Sequence, residues 1–412
     1  AITNSNNCII DSCIFQNNYK SVTLSGDTEL CTGNVIKNNK ITNGNVGIAL
    51  NSSNGGSCHD NIIENNFFGK SPTAMIFDSS NSKRNKKNTI RKNVIACNID
   101  QLSGLSATGV SISMDSVYIE NNIFWRNGIA VNFMSNKLAF TVNNTFYDNT
   151  VCFSNFPVAI NIPINRNVFM KADNVCTFKR NNQVYFSENN FFRYKMTQPL
   201  LINDSNSDIS MIYNYWDCDS DAEIAEMIYD KNDDGQLGEI IYRPALEDYS
   251  TTAPISPPTN VVKQEVDGGV LVSWNANPES DAAFYRLHYH NFNYYEFENA
   301  IDSLHDTTFF LPDANIDDNF AVTCADKNYH EGGQKDGHES AYSLAEAMPY
   351  AGKDNTLCYW EEFYDIEDAC QHLRSHQDTH GKSRIRCGRL HLAHFHTLDG
   401  CKGTSKYLRI HL

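Results

Sequence analysis

A short pattern of apolar and amide residues recurs along the first half of the chain. Its plainest copy is Ile119-Glu120-Asn121-Asn122-Ile123-Phe124, in which the apolar residues Ile119 and Phe124 stand five positions apart. Side chains five apart on one straight strand face opposite sides. Both can therefore face one core only if the chain bends between them. Asn122 lies in that bend, because asparagine tolerates turn dihedrals and hydrogen-bonds nearby backbone.

The pattern returns every 22 to 29 residues, and a period of this length is typical of a solenoid with one coil per repeat. Coils stacked about 4.8 Å apart would place successive asparagine amides within hydrogen-bonding distance of each other, as a ladder. In the earliest copy, Cys13 occupies the asparagine position. The marked asparagines are Asn39, Asn66, Asn93, Asn122, Asn144, Asn167, Asn190 and Asn214.

A second apolar segment follows in each repeat, as in Gly47-Ile48-Ala49-Leu50 and Ala130-Val131-Asn132-Phe133. Short strands of this composition, separated by Asn, Ser and Gly, predict the parallel strands of a β-solenoid. The residue after the first apolar position alternates in charge between successive copies, so we expect these residues to stack on one outward face. They are Asp11, Lys37, Glu64, Arg91 and Glu120.

With these repeats, residues 1–250 resemble the right-handed parallel β-helix family. The family's terminal "NYWG" segment is similar to Asn214-Tyr215-Trp216-Asp217, although Asp217 replaces the glycine. A short helix, an acidic turn and a strand follow, and we expect 214–250 to cap the solenoid. The resemblance implies about eight coils. The family includes polysaccharide lyases of the pectin lyase-like class, glycoside hydrolases, periplasmic copper-binding proteins and non-catalytic surface proteins, so the fold alone selects no function.

The second half of the chain predicts a different all-β unit. Residues 251–259 form a Pro/Ser/Thr-rich linker. Short alternating strands over 260–348, with Trp274 as a core residue, resemble a fibronectin type III domain, which implies a β-sandwich that serves as a spacer or an accessory of carbohydrate enzymes. The tail, 349–412, has little repeating apolar pattern and is either disordered or, through its histidines and cysteines, a zinc-binding segment.

The charge is distributed unevenly over the 412 residues. Residues 1–217 contain 18 Lys/Arg and 15 Asp/Glu, whereas residues 218–412 contain 15 Lys/Arg and 34 Asp/Glu. The acidic half argues against a nucleic-acid partner, and no apolar run is long enough to span a membrane. Residue 1 already lies inside a repeat, so we expect the chain to be a fragment, and the missing export signal says nothing about the compartment.

Thirteen cysteines are present, and their spacing shows neither pairs nor a CxxC motif. We expect most of them to be buried as small apolar residues of the coil core, rather than to form a disulfide framework. His59 lies in the polar loop Asn51–Asp60, where it is a proton carrier, a metal ligand or neither.

The most basic stretch lies in the loop before Asn88, with Arg91 and Lys92 close behind it. Such a patch can hold uronate or sulfate groups, because arginine binds carboxylates in a bidentate manner. Neutralising a uronate carboxylate acidifies the proton that a lyase removes. The alternative is a solvated turn. The candidate substrate-binding residues of this loop are Lys83, Arg84, Lys86 and Lys87.

Three further candidates flank the clearest repeat: Tyr118, Trp125 and Arg126. Outward aromatic rings on a β-helix either stack on sugar rings or cover neighbouring coils. For catalysis we considered two carboxylates about 5 to 10 Å apart, as glycoside hydrolysis requires. The candidates are Asp78, Asp100 and Asp115, in adjacent coils.

The acidic turn near the end of the solenoid has the opening spacing of a calcium-binding EF-hand loop, with Asp230, Asn232 and Asp234 as candidate ligands. The twelfth position is Ile241 instead of the usual bidentate glutamate. The segment is therefore a calcium site or a solvated acidic turn.

These observations favour a secreted or cell-surface protein that binds, and in one form of the hypothesis cleaves, an extracellular polysaccharide. Three classes of protein stay open. The first is a polysaccharide-binding β-helix with lyase or glycosidase activity on an anionic polymer. The second is a non-catalytic adhesion protein with the β-helix as a rigid rod. The third is a periplasmic metal-associated β-helix.

Overall fold

The computed structural model describes residues 1–79, 87–96, 107–134, 139–156, 162–179, 184–194, 198–293 and 296–348, with two strands of the tail. The first half is a parallel β-helix of the right-handed type with about eight coils in the described residues. This confirms the predicted all-β repeat fold. Each coil contributes strands to three parallel sheets, which we name A, B and C.

The strand bounds follow the repeat. Sheet A is formed by Ile2–Thr3, Lys20–Gly26, Val46–Ser52, Thr73–Ser79, Thr108–Ile112, Ile129–Phe133, Val151–Ser154, Asn174–Phe178, Leu201–Asn203 and Ile228–Tyr229. Sheet B is formed by Ile9–Asp11, Val35–Lys37, Ile62–Glu64, Asn88–Arg91, Val117–Glu120, Ala139–Val142, Ile162–Asn165 and Val184–Ser187. Sheet C is formed by Ile14–Gln16, Lys40–Thr42, Phe67–Gly69, Val94–Ala96, Ile123–Trp125, Thr145–Tyr147, Val168–Met170, Asn190–Phe192 and Tyr215–Trp216.

The predicted asparagine ladder is present between sheets B and C. Asn66 is fully buried, and its Nδ2 donates to Oδ1 of Asn93 at 3.0 Å and to the carbonyl of Ile36 at 2.9 Å. The backbone N–H of Asn66 also donates to the Asn93 Oδ1. Every amide of the ladder is thus satisfied without water. The ladder runs through Asn39, Asn66, Asn93, Asn122, Asn144, Asn167, Asn189 and Asn214.

The prediction of one ladder residue, Asn190, is wrong by a single position. Asn189 is the ladder residue, whereas Asn190 is the first residue of its sheet C strand and pairs with Val168. The Asn190 side chain instead bonds the backbone of Ser250, to which it donates at 3.1 Å and from which it accepts at 2.8 Å. Two adjacent asparagines made the choice ambiguous in the sequence.

The turn conformation belongs to the residue before each ladder asparagine. Asn121 has a φ of 55°, and Lys92 and Arg166 hold the same position in other coils with φ of 56° and 55°. The ladder asparagine therefore supplies hydrogen bonds, while its predecessor adopts the left-handed conformation that asparagine tolerates best. This division of roles corrects the expectation that the ladder residue itself makes the bend.

The core inside the coils is apolar and contains a column of aromatic rings. Phe124 and Phe146 stack with centroids 4.9 Å apart, and the column ends with Phe191 on Trp216 at 4.6 Å. The alternating charges also stack as predicted on the outer face of sheet B. Arg91 lies 2.8 Å from Glu64 there.

The last coils carry the helix Asp221–Glu226. Ser220 caps it, since its side chain accepts from the backbone N–H of Glu223, and Ile224 packs onto the solenoid core. The chain then returns to sheet A through Ile228–Tyr229. Ile240–Ile241 pairs in parallel with Ile209–Ser210.

The C-terminal β unit has two small sheets around one apolar core that includes Trp274 and Tyr285. One sheet is formed by Val262–Val266, Gly269–Ser273, Thr308–Pro312 and Glu346–Ala347. The other is formed by Ala282–Asn293, Glu296–Leu304, Ala321–Asp326 and Ser343–Leu344. A 3-10 helix spans Gly333–Asp336, and in the tail Tyr359–Glu362 pairs antiparallel with Ala393–His396.

This C-terminal unit packs against the outer face of sheet C. Trp125, Met170 and Phe192 on sheet C form one buried cluster with Ala341 of the C-terminal unit. The segment predicted as a linker takes part in the packing: Ile255 is only 3 % exposed and lies in the core of the C-terminal unit. Ion pairs cross the contact, with lysines on the β-helix and acidic residues opposite: Lys40 with Glu296, Lys92 with Asp336 and Lys171 with Glu346.

Candidate functional site

The outer face of sheet A carries a patch of short hydrogen-bonding side chains, which we call the sheet A patch. Its members stand in two columns, because the strands pair in register: Asn51 is beside Asp78, and Ser111 is beside Asn132. All are at least partly exposed. The patch consists of Asn51, Asp78, Ser111, Ser113, Asn132 and Ser154.

Two hydrogen bonds order this patch. Ser113 Oγ donates to Asp78 Oδ1 at 2.8 Å, and Asn155 Nδ2 donates to Asn132 Oδ1 at 2.9 Å. Since neighbouring coils are about 4.8 Å apart, the patch offers donors and acceptors at a regular spacing along the solenoid axis. These side chains are chemically suited to form hydrogen bonds with hydroxyl groups.

The structure places two of the three candidate catalytic acids. Asp78 is exposed near the end of its sheet A strand, and Asp115 is half-buried in the turn before Val117–Glu120. Asp100 lies outside the described residues. The sheet A patch thus includes Asp78, and the pairing of two of these acids for catalysis stays a prediction.

The basic loop is described only at its end. Lys83, Arg84 and Lys86 lie outside the described residues, whereas Lys87 is exposed with a φ of 61°. The two cations just behind it are engaged in ion pairs. Arg91 pairs with Glu64, and Lys92 pairs with Asp336 of the C-terminal unit.

Two predicted sugar-stacking residues have covered rings. Trp125 is only 1 % exposed because the C-terminal unit packs over it, so its assignment to substrate binding is corrected to an interdomain contact. Tyr118 is half-buried on sheet B and stacks on Phe140, with centroids 4.5 Å apart and planes 6° apart. One face of the Tyr118 ring is therefore occupied by the neighbouring coil, which was the alternative interpretation.

Arg126 lines a cleft between sheet C and the C-terminal unit, with a volume of about 170 Å³. Its Nε donates to Asp148 Oδ2 at 2.7 Å, and its guanidinium lies 5.0 Å from the centroid of Trp125. Lys171 Nζ lies 3.6 Å from the same Asp148 oxygen and 3.9 Å from Glu346 Oε1. Positive and negative groups balance in this cleft, so it has no excess charge to attract an ion.

Sequence analysis missed this alternation, although the repeat contains its signal. Arg126, Asp148 and Lys171 each follow a sheet C strand, and all three have φ between 54° and 57°. An alignment of the repeats at the turn after sheet C shows that the charge alternates between positive and negative in successive coils, as it does on sheet B. The sheet A patch gave no comparable signal, because serine and asparagine are common throughout the repeats.

The acidic turn is held by hydrogen bonds between its carboxylates and its own backbone. Asp230 is buried, and its two carboxylate oxygens accept the backbone N–H groups of Asn232 at 2.9 Å and Ile240 at 2.8 Å. Asp234 Oδ1 accepts the N–H of Gln236. These bonds hold the turn closed, which favours the solvated acidic turn, and calcium binding here stays a prediction. Across the described part of the chain, no group of three or more His, Cys, Asp or Glu side chains is placed to hold a metal ion.

His59 forms a local polar cluster. Its Nδ1 lies 2.8 Å from Asp60 Oδ2 and 3.0 Å from Thr32 Oγ1. Its contacts thus join two neighbouring coils, and its function stays a prediction. The candidate zinc ligands of the tail, His372, His376 and His380, lie outside the described residues.

Comparison with protein-family models, curated proteins and solved structures found no match to this chain. The assignment of function therefore depends on the geometry alone. Among the described residues, no helix has the length and apolar character needed to cross a membrane.

Proposed function

We propose that this protein binds an extracellular polysaccharide along the outer face of sheet A. The observation that carries the proposal is the sheet A patch, where short amide, hydroxyl and carboxylate side chains are repeated in register over successive coils. A glycan presents hydroxyl groups at regular intervals along a linear chain. A straight array of hydrogen-bonding groups is complementary to such a ligand.

The affinity would come from repetition. Each exposed hydrogen bond replaces bonds to water and contributes only about 0.5–1.5 kcal/mol. Several such contacts on one polymer act together, because after the first contact the others form at high effective concentration. The proposal therefore favours a long polymer over a single sugar.

An anionic polymer is the preferred ligand class within this proposal. The sheet A strand Thr73–Ser79, which carries Asp78, leads directly into the segment that contains Lys83, Arg84 and Lys86. These cations would hold carboxylate or sulfate groups of a chain bound to the patch. Secretion or display at the cell surface is part of the same proposal.

The C-terminal unit is proposed to be a fibronectin type III-like sandwich. Two four-stranded sheets that share a core with Trp274 and Tyr285 support this interpretation. Because this unit covers sheet C and leaves the sheet A patch open, its proposed role is to stabilise the solenoid next to the binding face.

A second candidate function is a non-catalytic adhesion protein. The contact between Trp125 and the C-terminal unit favours it, since a buried interface with crossing ion pairs makes the two units one stiff body. Such a protein would bind a protein ligand, and its binding would not depend on the sheet A patch.

A glycan array that includes neutral, uronate-containing and sulfated polymers tests the proposal. The double variant Asp78→Ala/Asn132→Ala should weaken binding about 10- to 100-fold, because two or more hydrogen bonds are lost. The matched control Glu298→Ala changes an exposed residue of the C-terminal unit and should leave binding unchanged. An array without any bound glycan would overturn the proposal, and equal binding by the double variant would move the site elsewhere.

Cleavage is measured in the same samples. A lyase releases unsaturated products that absorb ultraviolet light, whereas a hydrolase releases reducing ends without that absorption. Binding without either product assigns a purely binding role to the sheet A patch.

A further inference from the structure

Two buried cysteines face each other across adjacent coils near the start of the solenoid. The strands Leu30–Thr32 and Ser57–His59 pair in parallel, and Cys31 is the register partner of Cys58. Both side chains are 0 % exposed and both are free thiols. The two residues are direct neighbours across this pair of strands.

The register satisfies the spacing rule for a disulfide. Paired strands place their Cα atoms about 4.8 Å apart, which lies within the range of about 4.4–6.8 Å that disulfides span. Because both residues occupy the same position of successive coils, their Cβ atoms point to the same side of the small sheet. We propose that Cys31 and Cys58 form a disulfide that links the two coils when the protein folds in the presence of a disulfide oxidant such as glutathione disulfide.

The chemistry proceeds by two thiol–disulfide exchanges. The Cys31 thiolate attacks one sulfur of glutathione disulfide, forms a mixed disulfide and releases one glutathione thiolate. That thiolate takes the proton of Cys58, and the Cys58 sulfur then attacks Cys31 Sγ and releases the second glutathione. The protein loses two electrons and two protons, and one glutathione disulfide becomes two glutathione thiols.

In the folded coils, the surroundings of the two thiols differ. The hydrogen bond between the two thiols lowers the pKa of Cys31, and the same hydrogen bond together with burial raises the pKa of Cys58. Asn34 Nδ2 also donates to Cys31 Sγ, at 3.4 Å. Since both thiols are buried in the folded protein, the exchange takes place while the coils assemble.

A second buried pair provides an internal control. Cys152 and Cys176 are both 0 % exposed in neighbouring coils, but Cys176 is the register partner of Phe153. The two cysteines are thus offset by one residue. Because they are not register partners, we expect no disulfide between them although both are buried.

The test is refolding of the full chain in a glutathione redox buffer, followed by alkylation of free thiols and mass spectrometry of non-reduced peptides. We expect a linked peptide pair containing Cys31 and Cys58, and alkylated Cys152 and Cys176. Reduction should lower the melting temperature by on the order of 5–10 °C, because the bridge restricts the unfolded chain. Cys58→Ser should abolish the linked peptide.

Alkylation of both Cys31 and Cys58 in the refolded wild-type chain, or their linkage to other cysteines, would overturn the proposal. The peptide map of the wild type decides the question even if Cys58→Ser does not fold. The result is independent of glycan binding, so it stands or fails apart from the proposed function.

Discussion

Asn93 Nδ2 donates a 3.0 Å hydrogen bond to Oδ1 of Asn122 on the next coil, and the backbone N–H of Asn93 donates to the same oxygen. One side-chain oxygen therefore satisfies two buried donors of its neighbour. Repeated over the coils, this relationship fixes the register between sheets B and C. Asn122 also donates through Nδ2 to Asn144 Oδ1, and a carboxylate cannot both accept and donate in this way, so each position of the ladder depends on asparagine.

Replacing one ladder residue should therefore cost several hydrogen bonds at once. We expect Asn122→Ala to lower the free energy of unfolding by about 3 kcal/mol or more, since it removes the oxygen that accepts from the backbone N–H and Nδ2 of Asn93, leaves that backbone N–H without its acceptor and opens a small cavity. The measurement is urea unfolding followed by circular dichroism. Asn121→Gly, at the left-handed turn position next to it, is the matched control and should change stability by less than about 1 kcal/mol. Equal effects of both variants would contradict the ladder's role.

The contact of Trp125 with the C-terminal unit should hold the two halves together. Trp125→Ala should remove about 3–5 kcal/mol of packing and make the segment 251–259 accessible to proteases. Limited proteolysis measures the cleavage rate there. Phe310→Ala, which truncates an aromatic residue that is 42 % exposed, should leave the rate unchanged. Protection of 251–259 in the Trp125 variant would show that the contact contributes little.

The buried carboxylate of Glu339 predicts a pH dependence of the C-terminal unit. Burial raises the pKa of Glu339, but hydrogen bonds from His288 and Thr323 and the nearby Arg286 outweigh it and leave the pKa below 4.5. A carboxyl group with a lowered pKa contributes stability that is present above its unfolded pKa and is lost as the pH falls through the folded one.

We therefore expect the melting temperature of the C-terminal unit to fall below about pH 4.5, and Glu339→Gln to reduce this dependence while destabilising the unit by about 3–5 kcal/mol. Thermal unfolding from pH 3 to pH 7 tests this. Glu298→Gln, at an exposed position, is the control. A wild-type profile that is the same as that of Glu339→Gln would contradict the assignment.

The closed turn at Asp230 predicts indifference to calcium. Because both carboxylate oxygens accept backbone N–H groups, added calcium should leave the melting temperature unchanged, and a chelator should have no effect. Asp230→Asn should lower the free energy of unfolding by about 1–2 kcal/mol, since an amide has one oxygen to accept both bonds. A rise in melting temperature with calcium, abolished in Asp230→Asn, would support the calcium hypothesis.

The sequence was sufficient to predict the solenoid because its period and its amides are local features. The position of Phe124 in the repeat predicts that it faces the core, and the position of Asn122 predicts the ladder. Neither prediction needs information on contacts between distant parts of the chain. Packing between the two halves could not be predicted in this way. Trp125 follows the same repeat as its neighbours, and only the fold shows that the C-terminal unit covers it.

The candidate site shows the same limit. The sequence shows Asp78 as an acid in an early coil, but its contact with Ser113, which is 35 residues away in the chain, depends on the register of two strands. Asp230 stands at the first position of the spacing typical of a calcium-binding loop. In the fold, one of its carboxylate oxygens accepts a hydrogen bond from the backbone N–H of Ile240. A motif gives the residue types, and the competing hydrogen-bond partners appear only in the folded chain.

The most direct test of the proposed function is the length dependence of glycan binding. The experiment is isothermal titration of the full chain with oligosaccharides of one to about ten sugars. They are fragments of the polymer that binds best in the glycan array. The sheet A patch predicts that affinity rises with each added sugar until the chain spans the patch, and that Asp78→Ala/Asn132→Ala flattens the rise. An affinity that is independent of length, and unchanged in that variant, would contradict binding along sheet A.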